Sequence, residues 1–211
     1  MPRTREDHIH YTRHEFLSNT IPYYIDLVNF LKNSKLKSYL DIGANIGEYC
    51  NIVSELVPSI EQYYLIEPHP ENIKFLRNNI NKNIVNKCNI FESAVSYNEQ
   101  QFIYLINDPY FNVGGYMTRN EGDIKVACNK IEQLNIPIVD LAKIDVEGAE
   151  YDILKNSSYL KKVKYLEIEF HGPDKALNFE DPKLFLTSHL SNFSVLFHNE
   201  NFDRVLLENT L

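Results

Sequence analysis

Asp145-Val-Glu147-Gly-Ala-Glu150 places three carboxylates within six residues, directly after the mostly apolar run Val139–Ile144. Carboxylates crowded at the end of a buried strand repel one another and lose hydration. A fold keeps them where a cation, a hydrogen-bond donor or a substrate compensates. A second run, Lys164–Phe170, ends in Glu169-Phe-His171 and adds an imidazole that titrates near neutrality. A carboxylate and an imidazole at two strand ends are the parts needed to take a proton from a hydroxyl. His171 is the preferred base and Asp145 the alternative, and Glu147 joins them as a candidate for catalytic or ligand contact. Helix capping competes with this, with Asp145 as N-cap and Glu147 in the first turn. Asp145, Glu169 and His171 also carry donor atoms that suit a divalent ion, but their spacing does not demand one. No metal is expected.

A second constellation opens earlier, at Tyr39-Leu-Asp41-Ile-Gly43-Ala-Asn45-Ile-Gly47. It reads as a buried strand running into a glycine turn and then a helix. The glycines let backbone approach a ligand closely, and the helix presents free amides to it. Glu67 follows twenty positions after Gly47, beyond a second apolar stretch, where an acid accepts hydrogen bonds from ribose hydroxyls. Asn45 stands where a dinucleotide fingerprint needs its second glycine, and there is no G-x-x-x-x-G-K-[ST] phosphate loop. Asp41 would repel a pyrophosphate and suits a cationic ligand. S-adenosylmethionine, with its sulfonium and ammonium and no phosphate, meets these conditions. The expected cofactor residues are Asp41 (toward the ammonium, through water), Gly43, Asn45 and Gly47 beneath the methionine part, Glu67 at the ribose, Ser93 and Ala94 at the adenine, and Asp145.

These segments need a scaffold that brings strand ends together. Apolar runs at Ser38–Ile42, Tyr63–Glu67, Asn89–Phe91, Val139–Ile144 and Lys164–Phe170 alternate with helical patterns at Gly47–Leu56, Pro70–Asn81 and Ala149–Leu154. Such alternation predicts a parallel sheet with right-handed crossovers, which gathers ligand residues at the carboxyl ends of the strands. Phe102–Ile106 and Ile124–Cys128 interrupt it as an antiparallel excursion. The loop between them, with Tyr110, Phe111, Val113 and Tyr116, is expected to be a lid or acceptor wall. Lys183–Leu190 predicts a last helix, and Val195–His198 with Val205–Glu208 a closing antiparallel pair. Residues 1–12 read as loosely structured. Glu15–Leu31 reads as one leading helix, interrupted near Pro22, that packs on the sheet edge or closes over the cofactor.

Asp41-Ile-Gly-Ala-Asn-Ile-Gly47, Glu67-Pro68, Lys143-Ile-Asp-Val-Glu-Gly-Ala-Glu150 and Glu167-Ile-Glu-Phe-His171 together resemble the FkbM family of S-adenosylmethionine-dependent methyltransferases, over about residues 38–172. The first block alone resembles class I methyltransferases in general, and the Asp-x-Glu-Gly-x-Glu block narrows the match. The resemblance implies a Rossmann-like α/β fold, mostly parallel with an antiparallel closing strand. It also implies O-methylation of a hydroxyl on a sugar or other small metabolite. An asparagine-proline pair often accompanies amine methylation in this superfamily. Asp145-Val146 at that place favours oxygen, although a nitrogen or protein acceptor stays open. So does a non-catalytic partner subunit that keeps the cofactor pocket.

The bulk numbers narrow the partners. A chain of 211 residues suits one α/β domain, taken here as 38–211 behind a helical extension, 1–37. A net charge of −8 opposes nucleic acid as the main partner, because phosphate binding needs a basic face. Cys50, Cys88 and Cys128 show no C-x-x-C spacing, and no signal peptide or membrane-length apolar run is evident. A cytoplasmic enzyme acting on a small molecule is the expectation.

Overall fold

The computed structural model describes residues 5–18, 20–105, 118–119, 122, 124–176 and 178–211. The expected lid residues Tyr110, Phe111, Val113 and Tyr116 lie outside these. In chain order the elements are α1 (Arg5–Leu17), α2 (Pro22–Asn33), β1 (Ser38–Ile42), α3 (Glu48–Leu56), β2 (Gln62–Ile66), α4 (Pro70–Asn79), β3 (Cys88–Phe91), β4 (Ala94–Val95), β5 (Phe102–Leu105), β6 (Thr118–Arg119) and β7 (Ile124–Asn129). There follow β8 (Leu141–Ile144), α5 (Glu150–Asn156), β9 (Tyr165–Glu169), α6 (Pro182–His189), β10 (Phe193–His198) and β11 (Arg204–Asn209).

Seven strands form one sheet in the order β3-β2-β1-β8-β9-β11-β10. Pairing is parallel throughout except at β11, which runs antiparallel to both neighbours. This is a Rossmann-like α/β sheet with the expected antiparallel closing strand. Its central strands are buried on both faces and are mostly apolar, with Asp41, Lys143 and Glu167 as buried charged exceptions. Leu40, Ile42, Ala142, Ile144, Leu166 and Ile168 pack against α5 and α6, while Tyr39, Leu141, Tyr63, Leu65 and Leu206 pack against α2 and α3 on the other side. The interruption expected between the third and fourth core strands is a small separate sheet, β4-β7-β5-β6, with β5 antiparallel to β6 and β7.

The amino-terminal region departs from the expectation. Arg5–Leu17 is helical rather than loose, and the single leading helix is two. Pro22 cannot continue a helix but fits the first turn of a new one, so α1 ends at Leu17 and a second helix starts at Pro22. Phe16 is fully buried against Tyr24 at 4.8 Å and Tyr49 at 4.9 Å, and Arg13 pairs with Glu48 at 2.8 Å and with Glu55. No helix among the described residues is long and apolar enough to cross a membrane.

Candidate active site

β1 lies between β2 and β8, so the chain leaves the sheet in opposite directions on either side of it. Register sets Ile42 beside Ile66 and Ile144, which makes Gly43, Glu67 and Asp145 the next residues past three adjacent strand ends. The backbone N–H of Gly43 donates to Ile66 O at 3.0 Å and that of Asp145 to Ile42 O at 3.0 Å, so both loops leave the edge in fixed directions. This is the crevice where open α/β sheets bind ligands.

A cleft of about 660 Å³, counting its open mouth, occupies that edge. Of the residues singled out in the sequence, Gly43, Asn45, Glu67, Ser93, Ala94, Asp145 and Glu147 line it; Asp41, Gly47 and His171 do not. Nor does any residue of α1 or α2 among those described, so the amino-terminal helices cover the sheet rather than this cleft.

Gly43 has φ +88, and a Cβ there would meet Asp145 O at 1.8 Å, so only glycine lets these two loops touch. Gly47, at φ +85, has a further steric constraint: a Cβ there would lie 2.6 Å from Leu76 Cδ1, where α3 packs on α4. Glu67 is 5% exposed and accepts from the backbone N–H of Asn45 at 2.9 Å, the N–H of His69 at 2.9 Å and Asn72 Nδ2 at 3.2 Å. Burial raises its carboxyl to about 7 despite these donors. Ser93 Oγ and Asn72 Oδ1 are buried in the cleft wall without a hydrogen-bond partner among the described residues. Asn72 was not foreseen. Its only sequence signal is its place in the first turns of α4, which His69 caps by accepting from Glu71 and Asn72 N–H.

Asp41 is fully buried within the sheet rather than facing the cleft. It pairs with Lys143 Nζ at 3.4 Å, and the same ammonium reaches Asp145 Oδ2 at 3.2 Å. Burial raises the Asp41 carboxyl, although Lys143 opposes the shift. Burial also pushes on Asp145, but Lys143 and then His171 prevail and hold it below the ordinary carboxylate range. Lys143 and Glu167, named in the sequence only within the blocks that carry the resemblance, lie inside the strands and not past their ends, so the strand-end rule does not select them. Glu167 sits next to Lys143 in register, accepts from Tyr49 and Tyr23 hydroxyls, and is raised to about 7 by burial.

The Asp145–Glu150 loop is not a capped helix start. α5 begins at Glu150 behind Ala149, so neither Asp145 nor Glu147 occupies the capping positions considered for them. Glu150 organises the turn: its carboxylate, fully buried, accepts from Val146 N–H and Gly148 N–H at 3.1 Å and meets His171 Nδ1 at 2.8 Å. His171 Nε2 lies 3.2 Å from Glu147, which also binds Lys175. Burial lowers the His171 pKa, but hydrogen bonds to Glu147 and Glu150 outweigh it and carry the ring to about 11. His171 is therefore a cation at neutral pH, a state that opposes its use as a base. Donor atoms of Asp145, Glu150 and His171 lie within 4.8 Å of one another, and the imidazolium already supplies positive charge among them.

Comparisons with known proteins agree with this geometry. No curated protein gives a significant match. Among solved structures, methyltransferase FkbM from Methylobacillus flagellatus KT superposes with TM-score 0.58 at 18% identity, covering 90% of this chain and 47% of that one. The chain thus spans about half the length of that protein. A Staphylococcus aureus protein provisionally assigned as a caffeoyl-CoA O-methyltransferase gives TM-score 0.57 at 15% identity, covering 98% and 92%. An rRNA methylase from Streptococcus thermophilus gives 0.52 at 8%, covering 90% and 97%. Likenesses at such identity show the fold, that of class I methyltransferases. The family model for the methyltransferase FkbM domain matches residues 41–194, from the buried aspartate of β1 into β10. The chain belongs to the FkbM methyltransferase family.

Proposed function

We propose that this protein is an S-adenosylmethionine-dependent O-methyltransferase whose acceptor is a hydroxyl of a sugar or other small metabolite. One observation carries the cofactor: the cleft joins a buried ionisable carboxylate, Glu67, to two buried polar atoms without partners among the described residues, Ser93 Oγ and Asn72 Oδ1. A nucleoside offers hydroxyls to the first, and its base offers donors and acceptors to the others. Such partners offset the desolvation that unpaired buried polar atoms otherwise suffer.

The residues fit that group. Glu67 would hold the ribose, Ser93 and Asn72 the nucleoside, and the Gly43–Asn45 turn the amino-acid end, beside Asp145. When bound, the cofactor supplies an electrophilic methyl on a sulfonium. The chain supplies alignment and charge. Its largest contribution is to hold the acceptor oxygen in line, worth roughly 7–11 kcal/mol in well-oriented systems. Asp145 Oδ2 is engaged by Lys143, which leaves Oδ1 to take the hydroxyl proton. His171 keeps its own proton and secures Glu147 and Glu150, so the loop that carries Asp145 stays in place.

Calorimetric titration with S-adenosylmethionine and S-adenosylhomocysteine, beside Glu67→Ala, tests this reading. Micromolar binding abolished by the substitution supports it and justifies a screen of hydroxylated acceptors. A folded sample that binds neither compound overturns it.

A further inference from the structure

We infer that Lys143 is a positioning residue of the cleft: anchored on Asp41, it holds Asp145 turned so that its negative charge faces the positive pole of a cationic cofactor. The inference rests on the function proposed above.

Charge bookkeeping at the sheet edge leads to it. His171 is matched by Glu147 and Glu150, with Lys175 on Glu147. Arg204 is matched by Glu169 at 2.8 Å. Glu167 receives the Tyr49 and Tyr23 hydroxyls. What remains among the described residues is Lys143 with Asp41, Asp145 and Glu167, the last raised to about 7 by burial. Asp41 and Glu167 are buried, whereas Asp145 keeps 28% of its side chain exposed and lines the cleft. Of the three, Asp145 is therefore the one whose negative charge a cation in the cleft can meet.

Stability does not explain such a device. Lys143 is 5% exposed, and beyond its register neighbours Asp41 and Glu167 the face is built from Tyr39, Leu141, Tyr63 and Leu206. Apolar side chains at these positions would avoid the desolvation of three charges, which buried ion pairs often fail to recover. The ammonium is also fixed in place. It lies 4.7 Å over the ring of Tyr49, whose hydroxyl is tied to Glu167. Among the described residues, the charged groups that act on Asp145 and Lys143 include Asp41 from β1, Glu167 and Glu169 from β9, His171 and Lys175 beyond it and Arg204 from β11. Without Lys143, the acids among them would drive Asp145 toward its neutral form.

The test is titration of S-adenosylmethionine into wild type, Lys143→Met, Lys143→Arg, Asp145→Asn and the Lys143→Met/Asp145→Asn pair at pH 6.5 and 9. Circular dichroism serves as the fold control. Lys143→Met should bind about tenfold more weakly than wild type at pH 6.5 and approach it at pH 9, as Asp145 regains its charge. Lys143→Arg should stay near wild type at both. The double variant should be no weaker than Asp145→Asn, because Lys143 acts through that residue. Lys143→Gln, which keeps a donor without the charge, repeats the test if the methionine variant does not fold. A loss that is the same at both pH values, or one that adds to that of Asp145→Asn, would overturn the inference. Wild type that fails to bind condemns the cofactor assignment instead.

Discussion

Glu67 offers a quantitative test of cofactor recognition. Its carboxyl is pushed up to about 7, chiefly by burial, with the Asn45 and His69 amides and Asn72 as its only described donors. Two ribose hydroxyls donating to it would favour the ionised form and return its pKa toward the ordinary value of about 4.3. Free protein at pH 6 is then mostly protonated at this site and must release the proton to bind. The ionised fraction is about ten in eleven at pH 8 and about one in eleven at pH 6, so affinity should fall roughly tenfold as pH is lowered from 8 to 6. S-adenosylhomocysteine suits the assay because it lacks the sulfonium. Titrations at pH 6 in two buffers of different ionisation enthalpy should reveal nearly one proton released, and at pH 8 almost none. Glu67→Gln should bind weakly with no such dependence. Affinity that does not change between pH 6 and 8, or a glutamine variant that keeps the full dependence, would refute the reasoning.

Other consequences follow from the same geometry. Glu67 and Glu167 both titrate near 7 when folded, above their unfolded values, so their stabilisation is complete below about 4 and is lost as pH rises through 7. Each change is at most roughly 3 kcal/mol, and the ligand-free melting temperature should be lower at pH 8.5 than at pH 5.5. Gly43→Ala should destabilise by more than about 2 kcal/mol in urea and abolish cofactor binding, since its Cβ would fall 1.8 Å from Asp145 O. His171 should remain protonated through pH 9 in NMR titration, and Glu150→Gln should lower that pKa toward neutrality by removing one of its two carboxylates. Phe16→Ala should cost about 3–5 kcal/mol and release α1 to proteolysis, because Phe16 is the fully buried anchor between Tyr24 and Tyr49.

Much of this protein is determined locally. Apolar runs of strand length between helical patterns specify a parallel sheet, because each strand must be covered on both faces. The glycine turn after β1 and the acid after β2 need no tertiary information to be read, since φ at Gly43 and the position of Glu67 follow from a strand meeting a helix. Other features depend on residues far apart in the chain. Asp41 and Lys143 are separated by 102 positions and become partners only because β1 and β8 lie side by side in register. That pairing turned Asp41 from an expected cofactor contact into the buried anchor of a lysine. His171 reads as a base by residue type, but Glu147 and Glu150 surround it once β9 is placed beside β8, and their hydrogen bonds fix its proton. α1 likewise shows little amphipathic pattern, and among its described residues Phe16 and Arg13 contact α2 and α3. Backbone preferences and hydrophobic period act over a few residues, so sequence carries them. The charge state of a buried group depends on every neighbour the fold brings to it, and only the tertiary structure decides that.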